Sequence, residues 1–91
     1  MSRGEKLLER MRASKADWSP QELLQVYRWL GFTVTAGAKH DLVQHPDYPL
    51  LIATVSRSQV LAKGYIETLL QLEAKLRQAR AAGEGKTSKV D

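Results

Sequence analysis

Between Gly4 and Ala13 the apolar positions Leu7, Leu8 and Met11 recur with charged residues between them. That spacing predicts a short amphipathic helix over residues 4–13. Ser14 to Ser19 interrupts the pattern, and Ser19-Pro20-Gln21-Glu22 restarts it. A serine at the cap, a proline at the first helical position and a glutamate three residues after the cap predict a helix N-terminus. Leu23, Leu24, Tyr27 and Leu30 mark one face of this second helix, and Gly31 stands where a left-handed residue ends it. Trp18, just before the cap, is placed to staple onto the helix. Trp29, near the helix end, is expected to be half-buried.

After Gly31 the period changes to two. Phe32–Thr35 reads as a strand, Ala36–Lys39 as a turn containing Gly37, and His40–His45 as a second strand closed by Pro46-Asp47-Tyr48-Pro49. Leu50–Val55 follows as a third strand, aliphatic enough to be expected the best buried. Ser56–Ala62 is a connector. From Lys63 to about Arg80 a last helix carries Tyr65, Leu69, Leu72 and Leu76 on one face, broadened by Ile66 and Leu70. The end, 81–91, has almost nothing to bury and is expected to be a disordered tail.

The fold class is therefore α+β, one domain over 1–80 in the order helix, helix, three-stranded antiparallel meander, helix. So small a sheet cannot bury both faces, so the helices should cover one. Alternation puts His40, Leu42 and Gln44 on one face and Asp41, Val43 and His45 on the other. Leu42 and Val43 argue in opposite directions, and the pattern alone leaves open which face meets the helices.

Composition narrows the chemistry. The chain has no cysteine, which excludes a thiol nucleophile, a disulfide framework and the common zinc sites. No apolar run nears the roughly 18 residues of a membrane span, and the charged start does not resemble a signal peptide. A soluble, cytoplasmic protein is expected. The net charge is +4, with its excess in 1–31 and 63–91 and none in 32–62. That balance fits a nucleic-acid partner and solvated helix faces about equally well. The second helix carries one basic residue, Arg28, which argues against a DNA-reading helix-turn-helix.

Both histidines lie in one short stretch, Gly37-Ala38-Lys39-His40-Asp41-Leu42-Val43-Gln44-His45-Pro46-Asp47. Histidine takes and gives protons near neutrality. His45, beside Pro46-Asp47, reads as stabilising a turn, Asp41 as an exposed strand carboxylate, and Tyr65 as core. His40 is left as the catalytic candidate.

The order helix, three strands, helix, with His40 entering the second strand and His45-Pro46-Asp47 after it, resembles the HicA toxins. So does Val55-Ser56-Arg57 leading to Lys63-Gly64-Tyr65-Ile66. The resemblance spans residues 20 to about 77, with 1–19 as an addition. Lys39 stands at the family motif's serine position and Ala38 at its glycine position, with Gly37 one place earlier. The resemblance implies a fold like the double-stranded RNA-binding domain and an mRNA endonuclease of a type II toxin–antitoxin system. It implies His40 as catalyst, a HicB-type antitoxin as partner and no cofactor.

The chemistry stands without the family. An RNA 2′-hydroxyl can attack the adjacent phosphorus, so proton transfer and charge stabilisation suffice and no metal is needed. A histidine in that role is worth about 10²–10⁴-fold. Lys39 can neutralise transition-state charge, although regular strand geometry would turn it away from His40. Arg57 and Lys63 are the other candidates for phosphate contact. The alternative is a non-catalytic RNA- or protein-binding module, for which Lys63 without a lysine cluster is a thin supply of phosphate ligands.

Overall fold

The computed structural model describes residues 2–57 and 60–83. Its elements are α1 (Arg3–Ala13), α2 (Pro20–Trp29), β1 (Thr33–Ala36), β2 (His40–Gln44), β3 (Ile52–Ser56) and α3 (Lys63–Ala81). The order and the α+β class are those expected. The expected tail falls outside the described residues from 84 onward, as does the middle of the connector at 58–59.

Both central signals for α2 are realised. The Glu22 N–H donates to Ser19 Oγ at 3.3 Å, and the Ser19 N–H donates to Glu22 Oε1 at 3.0 Å. This reciprocal pair satisfies two N–H groups the helix leaves open. Trp18 is buried, its indole N–H donating to the Ser14 carbonyl at 2.8 Å. The Leu61 N–H donates to the Trp18 carbonyl at 2.9 Å, tying the α1–α2 linker to the segment before α3. Gly31 ends α2 at φ +99°, as its position predicts.

The strands pair antiparallel in the order β1-β2-β3. Across the sheet, Val34, Val43 and Ala53 form one row, and Ala36, Asp41 and Val55 the next. These rows face the helices, with Val43 and Val55 fully buried. The opposite face carries Thr33, Gln44 and Ile52, then Thr35, Leu42 and Thr54, then His40 with Ser56. Val43 thus wins over Leu42, because its cross-strand neighbours Val34 and Ala53 also pack on the core.

Leu23, Val26 and Tyr27 of α2, Ile66, Leu69 and Leu76 of α3, and Met11 of α1 complete the core. Each such side chain contributes on the order of 1.5–3 kcal/mol by burial. Gly4 lets α1 approach α2: a Cβ there would collide with the Trp29 side chain. Trp29 is otherwise 44 % exposed, half-buried as expected.

Three expectations need correction. The third strand begins at Ile52, not Leu50. The chain after Pro49 is still turning, with Leu51 N–H donating to the Tyr48 carbonyl at 2.8 Å. Leu50 is left 93 % exposed. Nor is β3 the best buried strand: only Val55 is buried, because β3 is an edge strand with one face open. Tyr65 is half-buried against the core rather than inside it.

Candidate functional site

Gly37 shapes the corner from which His40 emerges. A Cβ at Gly37 would collide with the His40 carbonyl oxygen, so the β1–β2 connection closes this tightly only around glycine. Gly37 therefore serves the turn that the sequence placed near it. His40 follows as the first residue of β2, paired with Ser56 of β3 and exposed. Its imidazole belongs to the open face of the sheet and is accessible to a macromolecule. Lys39 sits in the turn before the ladder begins, also exposed.

His45 has the opposite surroundings. It is 2 % exposed and makes edge contacts with Phe32 (centroids 5.2 Å apart) and Tyr48 (5.0 Å). Its Nδ1 accepts the Asp47 N–H at 3.1 Å, a local bond of the kind that fixes a turn. A neutral ring accepting at Nδ1 carries its proton on Nε2, and that atom lies 3.1 Å from where a Cβ on Gly31 would sit. This histidine organises the β2–β3 loop, as its Pro46-Asp47 neighbours suggest.

Asp41 corrects the sequence reading. It is not an exposed carboxylate: it lies on the helix-facing side, 8 % exposed. One of its oxygens accepts from Arg57 Nη2 at 2.8 Å and Nε at 3.2 Å. Period-two geometry puts Asp41 opposite to His40, so the Arg57 guanidinium is drawn to the other side of the sheet. There it borders a small hollow with Pro20, Gln21 and Leu24 of α2. Lys63 lies at the start of α3, exposed, in a shallow concavity with Arg12, Lys15 and Glu67.

Of the four predicted site residues, the fold therefore brings only Lys39 and His40 to one corner. Arg57 is engaged behind the sheet, and Lys63 borders α1. A hollow of about 630 Å³ between the β2–β3 loop and the end of α3 does not include His40. Sequence reasoning also missed Glu73, which is 5 % exposed and accepts from Arg12 of α1 at 3.1 Å. It pairs with Arg77 one turn on at 2.7 Å. Its place between Leu69 and Leu76 on the apolar stripe was the available signal.

Among the described residues no cluster of histidine, aspartate and glutamate side chains is arranged to hold a metal ion. No helix among them is long and apolar enough to cross a membrane. Comparisons of the chain with protein-family models, with curated proteins and with solved structures give no match.

Proposed function

We propose that this chain is a HicA-type toxin, a small endoribonuclease that cleaves mRNA by proton transfer through His40 and needs no metal for that step. The observation that carries this reading is the exposure of the His40 imidazole on an uncovered sheet face, held at the Gly37 corner. Acting as base, His40 accepts the 2′-hydroxyl proton as the oxygen attacks the adjacent phosphorus. The 5′-oxygen then leaves with a proton from the protonated ring or from water, giving a 2′,3′-cyclic phosphate. Lys39, in the same corner, is the one cation of the predicted set available to the developing phosphorane charge. The partner that restrains such an enzyme is a HicB-type antitoxin covering the His40 corner, in a cytoplasmic setting.

The test is cleavage of an mRNA fragment in EDTA by the parent chain and by His40→Ala. Cleavage should fall about 10²–10⁴-fold in the variant, with the thermal transition unmoved because His40 is exposed. Equal cleavage by both proteins overturns the assignment. The dispersal of Arg57 and Lys63 away from His40 favours a second reading, a binding module without catalysis. RNA bound but left intact by the parent chain would establish it.

A further inference from the structure

The open face that carries His40 holds no arginine or lysine on its strands, although the chain carries 14 of them. If RNA is the ligand, its phosphates need cations elsewhere. On α1, Arg3, Lys6 and Arg10 follow one another at intervals of three and four, which places them within an arc of about 60°. All three are exposed, on a flank of the helix away from buried Leu8 and Met11. None of them forms an ion pair among the described residues, whereas Arg12, Arg57 and Arg77 do.

Helix stability accounts for Arg10, which lies in the last turn of α1, but not for Arg3 and Lys6. Arg3 and Lys6 lie near the positive end of the α1 dipole, where cations are disfavoured by a few tenths of a kcal/mol each. Nor is the stripe merely solvated. The Arg10 guanidinium lies over the Trp18 ring, 5.5 Å from its centroid, and that ring is fixed by its bond to Ser14. A stacked guanidinium keeps N–H groups at its edge for an acceptor while much of its side-chain entropy is already lost. From residue 3 to residue 10 the helix rises about 10 Å. Over that length a helical nucleic-acid strand sets out about three phosphates.

We infer that the Arg3–Lys6–Arg10 stripe of α1 is a phosphate-backbone site, which anchors RNA apart from the His40 corner and independently of sequence. The inference rests on RNA being the ligand but not on His40 being its catalyst. Arg10 holds the fixed position, and Arg3 and Lys6 add charge along the strand.

The experiment is fluorescence anisotropy of a labelled single-stranded 12-nucleotide RNA, titrated with the full chain carrying His40→Ala so that the probe survives. Binding is followed from low to high potassium chloride for this protein and for a version that also carries Arg3→Gln, Lys6→Gln and Arg10→Gln. Affinity should drop about a hundred-fold near 0.1 M salt, and the log–log salt slope should become shallower by about 2, the value for three phosphates on a single strand. A charge-preserving version, Arg3→Lys, Lys6→Arg, should match the parent. If the triple variant loses its thermal transition, Arg3→Gln with Lys6→Gln alone should still lower the slope by about 1.4. Superposed isotherms for parent and neutralised chains overturn the inference, as they would if the stripe served a protein partner. Failure of His40→Ala to stop cleavage would remove the catalytic reading only; the same titrations run on a 2′-O-methyl RNA, which has no 2′-hydroxyl to attack its phosphate, would then decide this one.

Discussion

Tyr27 is the largest fully buried side chain among the described residues, 1 % exposed, and its burial pushes the phenol well above its usual value near 10. Between that usual value and the raised one, the unfolded chain releases a proton that the folded chain keeps. Stability contributed by the neutral phenol is therefore complete below about pH 10 and lost progressively above it. Denaturant midpoints of the parent and Tyr27→Phe should run parallel near neutrality. Above about pH 10 the parent should lose stability faster than the variant. Gly31 offers a second check. Its φ of +99° and the nearness of His45 Nε2 both resist a side chain. Gly31→Ala should cost about 1–3 kcal/mol in urea unfolding. At this scale the sequence was partly legible. The glycine signal at 31 and the split between His40 and His45 follow from local rules of turn and alternation. Asp41 was not legible, because its burial depends on Arg57, sixteen residues away, reaching back across the β3 ladder.

At the scale of elements, the caps, the change of period at Gly31 and the stripe on α3 specified all six segments to within a few residues. Each is a local contest between backbone conformations that nearby side chains decide. The start of β3 went the other way, because Pro49 and the hydrogen bonds of the 45–51 loop outweigh the β-propensity of Leu50 and Leu51. How α1 docks was also hidden: it depends on Gly4 meeting Trp29 and on Arg12 reaching Glu73, both tertiary contacts. Gly4→Leu should force α1 off α2, costing about 1–3 kcal/mol as overpacking does. The expected signature is a red-shifted tryptophan emission with faster amide exchange at Leu7, Leu8 and Met11. Emission and exchange unchanged from the parent would show that α1 tolerates the bulk, and that Gly4 is not what seats it.

For the whole molecule, most of the cations and the exposed His40 are placed on different sides. The sheet's outer face presents threonine, glutamine and leucine around His40, while the cations sit on helices and turns. Long-range attraction of a polyanion then does little to orient it towards His40. On the proposed ribonuclease reading, Thr35→Lys with Thr54→Lys, both exposed and flanking Leu42 on that face, should raise kcat/KM for RNA several-fold at low salt. The gain should vanish near 1 M salt, where the screening length is about 3 Å. No change at low salt would mean that encounter is not limited by this face.

The last described helix closes the structure. Ile66, Leu69 and Leu76 supply a large share of the buried side chains, and Arg80 Nη2 donates to the Leu30 carbonyl at 3.3 Å. During synthesis α1, α2 and the meander leave the ribosome first, with the apolar faces of Val43 and Val55 not yet covered by α3. A newborn chain thus passes through an interval with its interior on display. How long that interval lasts is set by the pace of translation over α3, at about 5–20 residues per second. Slowing the codons for α3 should raise the fraction lost to aggregation or proteolysis without altering a single residue.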